Sequence, residues 1–419
     1  MTVDHPHESL TPPGEPKESG ATDLAIGVIT TGGTAPVDSV VKIVRDGMAA
    51  HFGGLTADVI HVDGTLADDR AGQVEEIGEG LRLVHARPSS TLPSTDDGSG
   101  WSEGLRTVLG LARERGARGL VMLNSEITSM TPEWIRCLGE PVLSEGRGFV
   151  LPVYQRGRYE GTLTQLFVVP LLRALFGHQF WYPIADEFAC SGEAAEFLLA
   201  QDVWTTDIAR QGLEFWLPVA MSGQSFPFAQ SVLGPRAVSS QRPPAPLGPT
   251  VGRVAGALFA IAERHEAAWL DVRGSEPVPV FGVPPGPASG TSARAAPIDP
   301  ERMLVGFRQG VRDLLPIWER ILAPDDLGDM LALSEYPSSE FRMGDRLWAR
   351  VVYDFLLAYR ARVMYRSHIT QSLAPLYLGR VASLVLETRL RPDAAVAQSM
   401  ERLARVFENE KPYLVDRWR

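Results

Sequence analysis

The first half of the chain alternates short apolar runs with stretches of helical periodicity. Short segments rich in apolar residues predict strands, and they occur at residues 24–30, 57–62, 81–86, 120–123 and 149–154. Between them, apolar residues recur at helical spacing, first from Val37 to Met48 and again from Trp101 to Gly116. This order is typical of an α/β fold, in which a mostly parallel sheet is sandwiched by helices.

The second half of the chain has a different pattern. Residues 162–176 predict an apolar helix, whereas residues 183–231 show no clear period and are dense in aromatic and acidic side chains. Pro, Gly, Ala and Ser dominate residues 274–300. We therefore predict five segments, which are a disordered tail at 1–23, an α/β domain at 24–250, an amphipathic helix at 251–273, a linker or surface loop at 274–300 and a helical C-terminal domain at 301–419.

Composition limits the classes of function. The 40 Lys and Arg residues against 51 Asp and Glu residues give a formal net charge of −11, which argues against a general nucleic-acid binder. The most apolar segment, 163–176, is too short to span a bilayer, and no signal peptide is visible. Cys137 and Cys190 have no metal-ligand spacing. We predict a cytoplasmic protein with reduced thiols and with neither a nucleic-acid nor a membrane partner.

Aromatic residues recur on the helices predicted near the C-terminus. Trp348, Tyr353, Phe355 and Tyr359 lie on repeating faces of one such helix. These residues predict either a helical core or the surface of a homodimer, and neither reading gives them a catalytic role.

Polar side chains follow the strand predicted at residues 120–123. Asn124, Ser125 and Glu126 stand where this strand leaves the sheet, and ligands of open α/β sheets bind outside the carboxyl ends of strands. Asn124 and Glu126 are two places apart, so they point to the same side of an extended segment. Their oxygen atoms suit Mg²⁺ or Mn²⁺ held against a diphosphate, and the alternative is a polar strand end in a pocket without a metal.

Two further segments suggest contacts with a nucleotide. Asp63 follows the second predicted strand, where a carboxylate accepts hydrogen bonds from a ribose or a base N–H, although Asp63 and Gly64 also form a turn signal. The loop at residues 96–100 either brings backbone N–H groups to a phosphate or forms a flexible turn. The loop at 156–162 carries Arg156 and Arg158, which suit a carboxylate or a phosphate, or else it is a solvated basic loop.

Acidic residues cluster with aromatic residues between positions 186 and 216. This cluster suits a sugar pocket, since aromatic rings stack on sugars and carboxylates bind hydroxyl groups, although such rings also belong to protein cores. Its members are Asp186, Glu187, Phe188, Asp202, Trp204, Asp207, Glu214, Phe215 and Trp216.

The chain resembles the GT-A glycosyltransferases that make glucosylglycerate or mannosylglycerate. The resemblance runs from about residue 25 to the C-terminus, and its best parts are residues 127–134, 156–162, 188–193, 202–210, 247–249, 274–279, 347–354 and 375–380. It implies a GT-A-like domain followed by a helical domain. It also implies transfer of a hexose from a nucleotide-diphosphate sugar to a small hydroxy acid such as D-glycerate, with retained anomeric configuration.

The resemblance also implies roles for individual residues. Donor contacts fall on Thr30, Thr31, Asp63, Asn124 and Glu126, acceptor contacts on Arg156, Arg158 and Thr162, and catalytic positions on Glu187, Asp207 and Glu214. The Asp-x-Asp position, which would hold Mg²⁺ or Mn²⁺ through Glu126, is Asn124-Ser-Glu126 here, and the position of a metal-binding histidine is Val238. These departures leave open a second hypothesis, a catalytically degenerate GT-A-like protein that binds a ligand or a partner.

Overall fold

A computed structural model describes residues 21–30, 37–66, 70–88, 99–239, 246–283 and 298–419. Thr31, most of the predicted tail, residues 96–98 of the predicted phosphate loop and residues 284–297 of the predicted linker lie outside these ranges.

The first part of the chain alternates strands and helices as the pattern predicts. The elements are β1 Leu24–Thr30, α1 Val37–His51, β2 Ala57–Asp63, β3 Val74–Gly78, β4 Leu81–Ala86, α2 Ser99–Glu114, β5 Gly119–Asn124, α3 Glu133–Leu143 and β6 Phe149–Gln155. Strand β3 was not predicted, because four of its five residues are exposed and it therefore lacks an apolar run.

Residues 183–231, which show no clear period in the sequence, contain several short helices and strands. A π-helical turn Thr164–Val168 comes first, and the elements that follow are α4 Val169–Phe176, β7 His178–Gln179, β8 Phe188–Ser191, α5 Gly192–Leu199, a 3-10 turn Asp202–Thr205, α6 Asp207–Gln211, α7 Leu213–Ser222 and β9 Phe228–Pro235. Their periods are invisible in the sequence for two reasons. Strand β8 has only four residues, and α7 is apolar on every face because most of its residues are buried.

The remaining elements are mostly helices. They are α8 Leu247–Arg264, α9 Glu266–Trp269, β10 Glu276–Pro277, β11 Val280–Phe281, α10 Pro300–Trp318, α11 Pro324–Glu335, α12 Asp345–Ala361, α13 Arg366–Thr388 and α14 Asp393–Trp418. A single amphipathic helix was predicted at 251–273, but α8 begins at Leu247 and the helical axis breaks at His265. The four aromatic residues of α12 named above are all buried inside the chain, so they form core.

The predicted fold class is confirmed. Within the described residues the strands form one nine-stranded sheet in the order β11-β9-β6-β8-β5-β1-β2-β4-β3, and a short pair is formed by β7 and β10. Five of the eight pairings in the larger sheet are parallel, and β8 runs antiparallel between β5 and β6. Helix α1 packs with α3, and α2 packs with α5. The crossovers β1-α1-β2 and β4-α2-β5 run in opposite directions, which places α1 and α2 on opposite faces.

Close packing at the centre of the sheet depends on a glycine. A Cβ atom at Gly104 would lie 2.7 Å from Cγ2 of Ile29, so α2 approaches β1 this closely only because residue 104 has no side chain. The carboxyl end of β1 is therefore covered by the start of α2.

Helix α13 is the one helix among the described residues that is long and apolar enough to cross a membrane. Of its most apolar window, 78% is buried inside the protein. Its neighbours are α8, α10, α12 and α14, and this environment is that of a core helix.

The C-terminal helices are joined to the sheet-bearing part by buried polar contacts. Lys411 of α14 donates hydrogen bonds to the carbonyl oxygens of Leu175, Trp269 and Val272 at 3.2, 2.7 and 2.8 Å. Arg173 of α4 pairs with Glu401 and Glu408 of α14. Burial lowers the pKa of Lys411 to about 8, so the ammonium group is still charged at neutral pH. Its hydrogen bonds are donated to these three carbonyl groups.

We expect Lys411→Met to lower the free energy of unfolding by about 3 kcal/mol, because three buried carbonyl groups lose their donor. Urea denaturation measures this change. Lys42→Met, at an exposed position of α1, is the matched control. Equal unfolding midpoints for the two variants would contradict the role of Lys411.

Candidate functional site

A cavity of about 1020 Å³ opens at the carboxyl ends of β1 and β5. These strands are parallel neighbours with Ile29 opposite Asn124, so the residues that follow them meet at one edge of the sheet. One side of the cavity, the strand wall, consists of Ile29, Thr30 and residues 123–126. The opposite side, the helix wall, is formed by parts of α6, α8 and α13 together with Tyr359.

The strand wall contains three of the predicted donor-binding residues. The hydroxyl of Thr30 is hydrogen-bonded to Nε2 of His61 at 3.1 Å. Oδ1 of Asn124 accepts a hydrogen bond from the backbone N–H of Glu126 at 2.9 Å, which holds the chain in a tight turn after β5. Glu126 is exposed on this turn. Residues 124–126 thus form a polar strand end that lines a pocket, as predicted.

Two carboxylates of the cavity lie close enough to interact, and each is bound by its own arginine. Asp186 lies 3.4 Å from Nη2 of Arg236, and Glu214 lies 3.1 Å from Nη1 of Arg253. Burial raises the pKa of Glu214, and the nearby charge of Asp186 raises it further. Asp207 is the third acid of the predicted cluster to line the cavity. Its side chain is 89% exposed and pairs with Arg210.

Glu187 does not line the cavity, although the resemblance implies a catalytic position for it. Its side chain is fully buried, where it accepts hydrogen bonds from the Tyr154 hydroxyl and, at 3.2 Å, from Arg236. Burial raises the pKa of the Glu187 carboxyl. Its neighbour Asp186 lines the cavity instead. The sequence did not indicate which of these two adjacent acids would do so.

Asp63 is held in a turn beside the cavity. Its Oδ1 atom accepts hydrogen bonds from the backbone N–H and the hydroxyl of Thr65 at 2.7 and 2.8 Å. Burial raises the pKa of Asp63, but the bonds from Thr65 and Thr30 outweigh it and the net pKa is lowered. Strand register places Asp63 next to Thr30 at the same edge of the sheet, outside the lining of the cavity.

The loop that carries the predicted acceptor residues packs against the C-terminal helices. Arg158 binds the Asp393 carboxylate and the carbonyl oxygens of Thr388 and Arg391. The Thr162 hydroxyl lies 2.8 Å from the hydroxyl of Tyr377. The loop is thus not a solvated basic loop, and neither Arg158 nor Thr162 lines the cavity.

Arg156 lies apart from these contacts. Its guanidinium group sits 4.5 Å from the ring centroid of Tyr182 and 5.8 Å from that of Tyr154. Its Nη2 atom is buried and has no hydrogen-bond partner among the described residues. Arg156 does not line the cavity, but the Tyr154 ring also contacts Arg236, which binds the cavity residue Asp186.

The aromatic residues of the predicted sugar pocket form core. Phe188, Trp204, Phe215 and Trp216 are all buried, and Trp101 and Tyr359 line the cavity in their place. Both predicted reduced thiols are present, since Cys137 and Cys190 are free.

Apart from Asp207 of α6, the residues of the helix wall were missed by sequence reasoning. This wall contributes Arg210, Arg253 and Arg366 together with polar residues at the start of α13, which are Ser367, Thr370 and Gln371. The sequence does carry one signal for this wall, because Gly252, Gly256 and Ala260 repeat every four residues of α8 and all three line the cavity. Such a stripe of small residues lets α13 pack closely on α8, since a Cβ atom at Gly252 would lie 3.1 Å from Cγ of Gln371.

The residues of the cavity do not match the ligand set of a divalent cation. The side-chain oxygen of Asn124 accepts a hydrogen bond from the N–H of Glu126, and the Glu126 side chain lies on an exposed turn. Val238 bridges Ile127 through the backbone, and its side chain cannot coordinate a metal. Within the described ranges, no group of three or more His, Cys, Asp or Glu residues is placed to hold a metal ion.

Comparisons with known proteins give weak matches only. No family model and no curated protein matches the chain. Among solved structures, glucosyl-3-phosphoglycerate synthase from Mycobacterium tuberculosis in complex with phosphoglyceric acid covers 58% of this chain and 80% of its own, with a TM-score of 0.40 and 23% identity. The same enzyme with Mg²⁺ and uridine diphosphate gives a TM-score of 0.41, 22% identity and coverages of 58% and 79%. At these values the matches assign neither a family nor an activity to this chain.

The raised pKa of Glu214 predicts how pH affects stability. The folded chain holds this proton more tightly than the unfolded chain, so the free energy of unfolding falls as pH rises above the ordinary value of 4.5. Glu214→Gln removes this loss of stability, and we expect the variant to gain stability relative to the wild type as pH rises above about 4.5.

Urea denaturation across this pH range measures the difference between the two proteins. Glu145→Gln, at an exposed position, is the control and is expected to follow the wild type. A wild type that gains stability relative to Glu214→Gln as pH rises would show that the attraction of Arg253 exceeds the effect of burial.

Proposed function

We propose that this chain is a glycosyltransferase that moves a hexose from a nucleotide-diphosphate sugar to a small hydroxy acid such as D-glycerate, with retention. The observation that carries the proposal is the cavity at the carboxyl ends of β1 and β5, which brings Thr30, Asn124 and Glu126 together with Asp186 and Glu214. Ligands of open α/β sheets bind at such strand ends. The sequence resemblance to glucosylglycerate-forming enzymes supplies the reaction class.

The proposed donor lies between the two walls of the cavity. Thr30, Asn124 and Glu126 present a hydroxyl, an amide and a carboxylate on the strand wall, and these groups suit the polar atoms of a nucleoside. Asp186 and Glu214 are placed to accept hydrogen bonds from sugar hydroxyls. The volume of about 1020 Å³ is sufficient for a donor together with a small acceptor.

The proposed reaction keeps the acceptor and the leaving group on one face of the sugar. The acceptor hydroxyl forms a new C–O bond to the anomeric carbon while the C–O bond to the β-phosphate breaks. The proton of the hydroxyl passes to the departing phosphate oxygen. The reaction requires both reactants to be held at this face. Asp186 and Glu214 would orient the sugar by accepting hydrogen bonds from its hydroxyl groups.

For the acceptor's carboxylate, the proposed partner is Arg156, which lies outside the lining of the cavity, so the acceptor would extend beyond the cavity past Arg236 and Tyr154. A buried guanidinium N–H without a hydrogen-bond partner is costly, and an anionic ligand would remove this cost. Arg158 and Thr162, which the resemblance also assigns to the acceptor, would instead hold the Arg156 loop in place through Asp393 and Tyr377.

Incubation of the purified chain with UDP-, GDP- and ADP-hexoses and D-glycerate, with and without Mn²⁺, tests the proposal. We expect a hexosylglycerate whose anomeric configuration, measured by NMR, equals that of the donor. Asp186→Asn is expected to lower kcat/KM by about 100-fold or more, because a charged contact to the reacting sugar is lost.

Asp202→Asn is the matched control, since Asp202 is an exposed acid that pairs with Arg264 outside the cavity. Absence of both transfer and donor hydrolysis with every donor would overturn the proposal.

A second candidate function is a non-catalytic protein that binds a ligand in the same cavity. The poor ligand set for a divalent cation favours it, because departure of a diphosphate needs a compensating positive charge. Binding of a nucleotide sugar by calorimetry, with neither transfer nor hydrolysis over a day, would support this candidate over the enzyme.

A further inference from the structure

The two walls of the cavity differ in charge. On the strand wall the charged residue is Glu126, and the cavity is also lined by Asp186, Asp207 and Glu214, of which Asp207 pairs with Arg210 and Glu214 with Arg253. Within the described residues, the cations that line the cavity are Arg210, Arg253 and Arg366, all on the helix wall. A ligand with a diphosphate group therefore finds its positive charge on the helices and not at the strand ends.

Arg253 is the cation best placed to bind such a ligand. Its side chain is 46% exposed and lines the cavity beside Gly252 and Gly256. Its contacts with the Gln211 carbonyl and the Glu214 carboxylate both use Nη1. The remaining N–H groups of the guanidinium have no partner among the described residues, and an arginine fork of this kind suits a phosphate.

Arg366 is held in a fixed position on the same wall. Its Nη2 group binds both oxygens of Glu263, at 2.7 and 2.6 Å, and its guanidinium lies 4.2 Å from the centroid of the Tyr359 ring. Its Nε atom is buried and has no partner in the described part of the chain. Tyr359 and Glu263 fix the plane of the group, so little conformational freedom is lost when an anion binds.

We propose that the diphosphate of the ligand is bound without a divalent cation and that its charge is neutralised by Arg253 and Arg366. The inference rests on the proposed function, because it concerns the same nucleotide-diphosphate sugar. Two independent observations carry it, namely the poor metal ligand set of residues 124–126 and 238 and the arginines of the opposite wall. Arginine side chains are among the groups that stabilise transferring phosphoryl groups in enzymes.

Isothermal titration of the full chain with UDP, GDP and ADP tests the proposal, first in EDTA and then in Mn²⁺. We expect one nucleotide to bind in EDTA, with a Kd that Mn²⁺ changes by less than about twofold. Arg253→Gln and Arg366→Gln should each weaken binding by about tenfold or more, since each removes a charged hydrogen bond. Arg253→Lys keeps the charge but not the fork, and we expect an intermediate Kd.

Arg264→Gln is the matched control, because Arg264 lies on the same helix, pairs with Asp202 and does not line the cavity. Unfolding midpoints of all variants show whether a loss of binding reflects a loss of fold. Binding that requires Mn²⁺ would overturn this inference and leave the proposed function standing, as would equal affinities of Arg253→Gln, Arg366→Gln and Arg264→Gln. No binding of any nucleotide in either buffer would overturn both proposals.

Discussion

The C-terminal helices, which supply part of the helix wall, are fixed against the sheet-bearing part by buried charges. Lys411 and Arg173 lie at this contact, and Arg158 of the loop at 156–162 binds Asp393 at the start of α14. A buried cation tolerates little movement, since each lost partner leaves an uncompensated charge in a low-dielectric setting. The position of the helix wall relative to the strand ends is therefore set by polar geometry as well as by apolar packing.

Much of the fold is predictable because strands buried on both faces are rich in apolar residues. Strands β1 and β5 have this form, and their carboxyl ends identify Thr30, Asn124 and Glu126 as cavity residues. Between residues 186 and 216 the same reasoning fails. There the apolar residues have no period, so the sequence leaves undecided which of Asp186 and Glu187 faces solvent.

The arginines illustrate a different limit. An arginine that binds a ligand and an arginine that binds a carbonyl group of a neighbouring helix have the same local sequence signal. Arg158 reaches Asp393 across 235 residues, and nothing near either position indicates the pair. The helix wall is likewise assembled from α8 and α13, so its charge emerges only when these helices pack together.

The distribution of charge across the cavity fixes the direction in which a ligand would bind. Asp186 and Glu214 would repel a diphosphate but accept hydrogen bonds from sugar hydroxyls, whereas Arg253 and Arg366 would attract the diphosphate. Glu214 takes part in both sets, because it lies near Asp186 and is bound by Arg253. The contact between Glu214 and Arg253 thus links the anion site of the helix wall to the hydroxyl-binding groups, so removal of the Glu214 carboxylate would change both.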